Sequence, residues 1–265
     1  MPACRYRTIY YGKYLCAANI VAHIVFTKAA LLILHFSGIL SNERGNTMTY
    51  EEVRRDPAVK VYIAQADASM QALGFTEHSF AHVTRVAKTA GDILETLGYP
   101  ARTVELARIA GYLHDIGNVV NRVDHSQSGA VMAFRILDRM NFPPEEIASI
   151  VTAIGNHDEG TGVPVNAVSA ALFLADKSDV RRSRVRKTAD IAQDIHDRVN
   201  YSVTHSELNI DLEQKTVTLE LTVDTKVSSV MEYFEIFMKR MSLCRNAAQR
   251  LGLRFQLTIN GQPLI

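Results

Sequence analysis

A histidine and an aspartate stand side by side within an apolar stretch of this 265-residue chain. His114 and Asp115 follow Leu113 in the segment 110–118, which reads AGYLHDIGN. A carboxylate buried without a partner costs several kcal/mol, because its charge loses the surrounding water. Imidazole nitrogens and carboxylate oxygens are common ligands of divalent metal ions. The pair therefore indicates a metal ion held inside the protein.

Three more polar side chains fall on helix faces that are otherwise apolar. They are His82, His157 and Asp176, each one helical turn from an apolar residue of the same predicted helix. Taken singly, each is more simply explained as a hydrogen-bonded core residue or a helix cap. Together with His114 and Asp115 they need a common partner, and a divalent metal ion satisfies all five.

These residues lie in a succession of predicted helices. Apolar residues recur at three- and four-residue spacing from Met48 to about Arg198, with glycine and proline at the breaks. The predicted helices span 57–73, 78–97, 101–116, 127–140, 145–157 and 166–179. Along the fourth of them, we expect Ala133, Phe134 and Leu137 to face the core.

The apolar periodicity changes after this helical region. Two alternating segments, a long amphipathic helix and a third alternating segment follow, at 206–212, 216–223, 227–250 and 253–259. The predicted fold class is mainly α, with an all-helical domain at 48–198 and a small ββαβ α+β unit at 199–265. Because the second range contains one histidine, His205, and no carboxylate cluster on an apolar face, we expect it to serve in association, for example as a homodimer, or as a lid.

The first 47 residues differ from the rest of the chain. Residues 14–40 are long and apolar enough for a bilayer span and follow basic residues. However, Lys28 lies in mid-span, which costs roughly 2.5–3.5 kcal/mol on insertion scales. The sequence from Met48 opens with a capping box, as a natural N-terminus can. We therefore expect translation to start at Met48 and place residues 1–47 outside the functional domain; a membrane anchor at 14–40 is the alternative.

Composition argues against several classes of partner. The formal net charge is +1, with 47% hydrophobic and 22% charged residues, which are ordinary values for a soluble globular protein. We therefore expect neither nucleic acid nor an anionic membrane surface as a partner. Cys4, Cys16 and Cys244 are too few for a disulfide framework, so we expect a reducing, cytoplasmic location.

Three motifs, in this order along the chain, resemble those of the HD superfamily of metal-dependent phosphohydrolases. They are HVTRVA at 82–87, LHDIGN at 113–118 and LADKSD at 174–179, and the resemblance covers about residues 70–186. It implies a helical fold with one or two metal ions in the core. It also implies hydrolysis of phosphate esters or anhydrides.

The resemblance implies a role for each matching residue. His125 and His157 match the extra ligands of HD proteins with two metals, such as the HD-type diadenosine tetraphosphate hydrolases. On this pattern Asp115 bridges the two ions. The remaining ligands would be His82, His114 and Asp176 for one ion, and His125 and His157 for the other. The mixed nitrogen and oxygen ligands favour Fe, Mn or Mg over a structural zinc.

The predicted function follows from such a site. Metal ions lower the pKa of a bound water towards neutrality and neutralise phosphoryl oxygens. We therefore expect a metal-activated hydroxide to cleave a phosphate ester or anhydride of a nucleotide or a similar small molecule. Asp115 and His78 are the predicted catalytic residues. His78 shares a helix face with His82 and could contact the substrate or give a proton to the leaving oxygen.

Arginine is expected to bind the substrate phosphate. Many HD enzymes have a lysine where Asn118 stands, so the cation must come from elsewhere in this chain. The candidates are Arg85, Arg122, Arg181 and Arg182, the last two because they follow Asp176 closely. A basic run is more often a solvated surface, and that alternative stays open for most of them.

Two other functions stay open. Residues 160–164 loosely resemble the G-x-G-Y-P motif of the HD-GYP cyclic-di-GMP phosphodiesterases, although Asn156 and Val163 depart from that family. A catalytically silent HD module that binds a nucleotide and signals through its C-terminal unit belongs to a different class. Metal content separates the silent module from the enzymes, and a substrate panel separates the enzymes from each other.

Overall fold

The computed structural model describes residues 48–186 and 194–264. Predictions for residues 1–47, including the apolar stretch at 14–40, lie outside this part of the chain. Within the two described ranges, no helix combines the length and the apolar character that a membrane span requires.

Nine helices and four strands make up the described ranges. The helices are α1 (Tyr50–Arg55), α2 (Pro57–Ala72), α3 (Phe80–Thr96), α4 (Ala101–Leu113), α5 (His125–Arg139), α6 (Pro144–Gly155), α7 (Ala167–Ser178), α8 (Ile195–Ser202) and α9 (Val230–Arg250). The strands are β1 (Val203–Asp211), β2 (Thr216–Val223), β3 (Arg254–Ile259) and β4 (Gln262–Pro263). This order confirms the predicted fold class, a mainly helical protein with a small α+β unit at its C-terminal end. The predicted ββαβ order lacks the strand β4, because a strand of two residues is too short to show an alternating pattern.

Side-chain caps explain where several helices begin. Thr49 and Glu52 form a capping box at α1, in which each side chain bonds the other residue's backbone N–H. Ser229 and Glu232 do the same at α9. At α2, the Asp56 side chain accepts hydrogen bonds from the first backbone N–H groups of the helix. Local sequence therefore determines these boundaries.

The end of α4 differs from the prediction, which continued the helix to residue 116. The helix ends at Leu113, and a short 3₁₀ turn follows at Ile116–Val119. The turn packs against the start of α5 so closely that a Cβ atom on Gly117 would lie 2.0 Å from the backbone oxygen of His125. Only glycine permits this approach, which leaves the intervening residues 114 and 115 facing the interior.

The helix α7 lies at the centre of the helical part. It packs against α3, α4, α6 and α9, and nearly all of its residues are buried. The prediction for α5 is partly wrong, since Phe134 is 51% exposed while Ala133 and Leu137 are buried. The buried stripe runs through Ile136 instead, which turns position 134 towards solvent.

The four strands form one sheet in the order β1-β2-β3-β4. The pair β1–β2 is an antiparallel hairpin, β2 and β3 are parallel, and β3–β4 is antiparallel. The helix α9 makes the crossover between the parallel strands and packs on β3 and on α7. Through α9, the C-terminal elements are joined to the central helix of the helical part.

Candidate metal centre

Six polar side chains converge at the inner ends of five helical segments. In chain order they are His82 in the first turn of α3, His114 and Asp115 after α4, His125 at the start of α5, His157 after α6 and Asp176 in α7. All six were selected from the sequence as metal ligands. The four imidazoles and Asp115 are buried, and the Asp176 side chain is 12% exposed.

The carboxylate of Asp115 lies between two pairs of imidazoles. Its Oδ2 atom is 3.5 Å from His82 Nε2 and 3.1 Å from His114 Nε2. Its Oδ1 atom is 3.7 Å from both His125 Nε2 and His157 Nε2. Each carboxylate oxygen therefore faces a different pair of ring nitrogens.

Within each pair the two Nε2 atoms face each other. The separation is 3.3 Å for His82 and His114, and 3.2 Å for His125 and His157. Asp176 adds its Oδ1 to the first pair, 3.4 Å from His82 Nε2 and 3.7 Å from His114 Nε2. The first pair is thus the richer in carboxylate oxygens.

Hydrogen bonds on the far side of each ring identify its tautomer. Every Nδ1 atom faces an oxygen that can only accept, so Nδ1 carries the hydrogen and Nε2 keeps its lone pair. For His82, His114, His125 and His157 in turn, the acceptors are Asp179 Oδ2 at 2.7 Å, Gly111 O at 2.8 Å, Arg122 O at 3.0 Å and Ile154 O at 2.7 Å. Such bonds to ligand imidazoles are typical of protein metal sites.

This donor set fits a divalent metal ion. Two facing lone pairs repel each other unless a positive charge lies between them. Two overlapping groups have one ligand atom per residue within 4.8 Å of one another, namely His82–His114–Asp176 and His114–Asp115–His157. Neutral imidazole nitrogens and carboxylate oxygens at this spacing can hold such an ion.

Electrostatics also favour a cation beside His82. Burial lowers the pKa of His82, but hydrogen bonds to Asp115, Asp176 and Asp179 outweigh burial and raise it to about 10. Burial raises the pKa of the Asp176 carboxyl, but Lys177 and His82 hold it well below its usual value. Three ionised carboxylates therefore surround one imidazole, and either a proton or a metal ion can supply the missing positive charge.

The second pair has a different environment. Burial lowers the pKa of His125 to about 4, against the opposing effect of Asp115. Burial likewise holds the pKa of His78 well below its usual value, although Asp115 raises it. Both rings are therefore neutral near pH 7, the form in which imidazole binds metals.

A cavity of about 320 Å³ opens onto this centre. Of the residues selected from the sequence, six line it: His78, Asp115, Arg122, His125, His157 and Asp176. Arg122 NH1 is 3.2 Å from His125 Nε2, and its guanidinium lies 5.6 Å from the centre of the Phe75 ring. The structure thus brings one of the four predicted arginines to the site.

The other three arginines point to different partners. Arg85 Nε and Arg181 Nε lie 3.2 Å and 2.7 Å from Asp179 Oδ1, and Arg182 NH2 lies 3.4 Å from Asp224 Oδ2. None of the three lines the cavity. Short sequence distance from Asp176 did not bring Arg181 and Arg182 there, because ion pairs with Asp179 and Asp224 engage their guanidinium groups.

Several residues of the site were not selected from the sequence, and three of them bear on its charges. Asp179 orients His82, and its position one turn after Asp176, within the third motif, could have suggested this. Lys177 Nζ is 2.6 Å from Asp176 Oδ2, and that lysine also lies within the motif. Arg240 of α9 lines the cavity, and no local signal in its amphipathic helix marks it.

Comparison with known proteins shows which proteins have similar sequences. Residues 79–193 match the family model described as HD domain. An uncharacterized protein of Methanocaldococcus jannaschii is 24% identical over 203 residues, which cover 68% of this chain and 77% of that protein. A crystal structure of a predicted HD superfamily hydrolase from an uncultured Thermotogales bacterium is 26% identical, covering 49% of this chain and 73% of the other, with a TM-score of 0.38. The matched range includes all six converging side chains, so this part of the chain has the sequence of an HD domain.

Proposed function

We propose that the protein is a metal-dependent phosphohydrolase that cleaves a phosphate ester or anhydride bond in a nucleotide or a similar small molecule. One observation carries the proposal. The two oxygens of the Asp115 carboxylate face two separate pairs of imidazole nitrogens, each without a hydrogen in the tautomer that its Nδ1 hydrogen bond favours. This arrangement supports a site for two divalent ions, Fe, Mn or Mg, with Asp115 shared between them.

The residues divide into two ligand sets. His82, His114, Asp176 and one oxygen of Asp115 would hold one ion; His125, His157 and the other oxygen would hold the second. Divalent ions bound there would supply a water of lowered pKa and positive charge for the phosphoryl oxygens. The protein itself fixes the rings through their Nδ1 hydrogen bonds, so that the Nε2 atoms are oriented before any ion binds.

Arg122 is the arginine best placed to bind the phosphoryl group. Its guanidinium has no carboxylate partner within the described ranges, and its NH1 atom contacts His125 Nε2 and Asn118 Oδ1 at 3.2 Å and 3.4 Å. A guanidinium without a carboxylate retains its donors for phosphate oxygens. We infer that Arg122 orients the substrate beside the second ligand set.

His78 suits a different role from the one expected. Its Nδ1–H donates to the Thr76 carbonyl at 2.7 Å, and its Nε2 atom lies 4.0 Å from Asp115 Oδ2. Nε2 is therefore an acceptor in this tautomer and has no hydrogen to give to a leaving oxygen. We propose that His78 accepts a hydrogen bond from the attacking water and orients it.

The C-terminal elements supply one wall of the same cavity. Asp194 and Asn200 come from the α8 region, and Phe237 and Arg240 come from α9. This supports the lid alternative for the C-terminal unit, while a homodimer stays a separate proposal. The buried free thiol of Cys244 is consistent with the cytoplasmic location that we propose.

Metal analysis and a substrate panel test the proposal. The purified protein is loaded with Mn²⁺ or Fe²⁺, and its ions are counted by plasma mass spectrometry. Phosphate release is then followed with nucleoside mono-, di- and triphosphates, dinucleoside polyphosphates and cyclic dinucleotides. We expect turnover of at least one member, and loss of that turnover in Asp115→Asn. A protein that holds no metal ion and hydrolyses nothing would instead fit the silent module.

A further inference from the structure

The helix α9 places a guanidinium in the wall of the cavity. Arg240 lines the cavity, and its side chain is 20% exposed. Its Nε and NH2 atoms both lie 2.8 Å from Glu159 Oε1. Its guanidinium carbon lies 4.0 Å from the centre of the buried Phe237 ring. One carboxylate and one ring therefore hold the guanidinium in place before any ligand arrives.

The fixed guanidinium keeps part of its donor capacity. Arginine has five N–H groups, and Glu159 engages only the Nε and NH2 side of Arg240. The NH1 atom has no acceptor within the described ranges, and it is not among the buried polar atoms that lack a partner, so it is accessible. A planar donor edge of this kind matches phosphate or carboxylate oxygens.

Ion pairs connect Arg240 to the candidate metal ligands. Lys177 Nζ lies 2.6 Å from Asp176 Oδ2 and 3.7 Å from Glu159 Oε1. A series of contacts, each 3.7 Å or shorter, thus runs from Asp176 through Lys177 and Glu159 to Arg240. Once Asp176 serves a metal ion, Lys177 and Arg240 share Glu159 as their ion-pair partner. Asp158, Asp194 and Asp197 also line the cavity, so the unengaged NH1 edge of Arg240, and not a net positive charge, is the feature that fits an anion.

We propose that Arg240 binds a second anionic group of the substrate, while the phosphoryl group to be cleaved lies at the metal ligands. This rests on the proposed function and names the substrate class: a compact compound with two anionic groups, such as a nucleoside diphosphate or bisphosphate. The cavity of about 320 Å³ lies at the small end of ligand pockets, which span about 300–1,000 Å³. Arg240 is then a specificity-determining residue, contributed from outside the range that matches the HD domain.

Binding of phosphonates tests the subsite without turnover. Mn²⁺-loaded protein is titrated calorimetrically with methylphosphonate, methylenebisphosphonate and propylene-1,3-bisphosphonate. None of them can be hydrolysed, so an enzyme without measurable turnover still reports on the subsite. The two bisphosphonates separate adjacent from spaced anions. We expect one of them to bind about 10- to 100-fold more tightly than methylphosphonate, as a charge-assisted hydrogen-bonded pair provides.

Variants on α9 and at Glu159 assign the effect to Arg240. We expect Arg240→Gln to lose the preference for the bisphosphonate and Arg240→Lys to keep part of it. Arg245→Gln changes an exposed arginine of the same helix and should keep the whole preference. Glu159→Gln removes the carboxylate that competes for Arg240, so the preference should persist or grow. The metal content and the thermal unfolding midpoint of each variant are also measured. If Arg240→Gln does not fold, Arg240→Lys takes its place in the comparison.

Two results would overturn the subsite. One is a preference that survives intact in Arg240→Gln. The other is an equal loss in Arg240→Gln and Glu159→Gln, which would mean that Arg240 serves only as the partner of Glu159. Absence of hydrolysis across the substrate panel would refute the proposed function instead, and the binding preference would still decide the role of Arg240.

Discussion

Replacing the histidines of the second ligand set should remove one metal ion and leave the other. The first set has four donors, from His82, His114, Asp176 and one oxygen of Asp115. The second has three protein donors, and either His125→Ala or His157→Ala reduces them to two. We therefore expect about two ions per chain in the wild-type protein and about one in each of these variants.

The size of the effect follows from the number of ligands. Structural metal sites with four protein ligands bind with about 10–16 kcal/mol, which averages about 2.5–4 kcal/mol for each ligand. Loss of one ligand should then weaken binding of the second ion by about 100- to 1,000-fold. Dialysis against a metal buffer, followed by plasma mass spectrometry, measures the change directly. On the proposed two-ion mechanism hydrolysis should also fall by orders of magnitude, because activation of the nucleophile and neutralisation of the phosphoryl group would depend on both ions.

Two further variants make the measurement specific. Asp115→Ala removes an oxygen donor from both sets, so both ions should weaken together. His205→Ala, at an exposed position of β1, is the matched control and should keep both ions. A wild-type content of one ion, unchanged in His125→Ala and His157→Ala, would show a mononuclear site and refute the two-ion mechanism.

Three other perturbations test parts of the structure that support the site. Asp179→Asn keeps an acceptor for His82 Nδ1 but removes a buried charge. Metal affinity should therefore fall about 10- to 100-fold, and the free energy of unfolding measured in urea should fall by about 3–5 kcal/mol. An unchanged metal affinity would contradict the orienting role of Asp179. Gly117→Ala should destabilise the protein by at least about 1–3 kcal/mol, because the new Cβ atom meets backbone 2.0 Å away. Gly155→Ala is its control, with no atom closer than 3.6 Å, and equal melting temperatures would refute the packing argument. Hydrogen bonds with Ser229, Arg198 and Ser228 lower the pKa of Glu232 from 4.5 to about 2. The stability that Glu232 contributes is therefore present above pH 4.5 and is lost as the pH falls through its folded-state pKa. Between these two pKa values, the free energy of unfolding should vary less with pH in Glu232→Gln than in the wild-type protein.

Seven of the nine helices in the described ranges could be predicted because their signals are local, whereas the short helices α1 and α8 had no predicted counterpart. Apolar spacing, capping residues and glycines lie within each helix or next to it, so the predicted boundaries fall close to the observed ones. The end of α4 is an exception with a tertiary cause. Gly117 approaches α5 closely where the chain passes from the α-helix into the 3₁₀ turn after Asp115, and no feature within the α4 segment itself reports that approach.

Five of the six candidate ligands could be selected from the sequence because their residue types conflict with their positions, since a histidine or aspartate on an apolar stripe stands out wherever the helix packs. The sixth, His125, was selected through the resemblance to HD proteins with two metals, and the structure brings all six side chains together. Arginines give no such signal, since a long charged side chain is at home on most surfaces. Whether Arg85 or Arg122 reaches the cavity depends on where carboxylates such as Asp179 lie in the folded protein, and spacing along the chain does not contain that information.

One helical turn at the end of α7 connects these separate parts. Asp176 faces the first imidazole pair, Lys177 reaches towards Glu159, and Asp179 receives the Nδ1 hydrogen of His82. Because α7 is buried on nearly every side, none of these side chains can shift without disturbing helix packing. The helix α9 packs on the same element and carries Arg240. The candidate metal ligands and the proposed anion subsite therefore share one support, through which residues outside the HD domain would contribute to the proposed selection of the substrate.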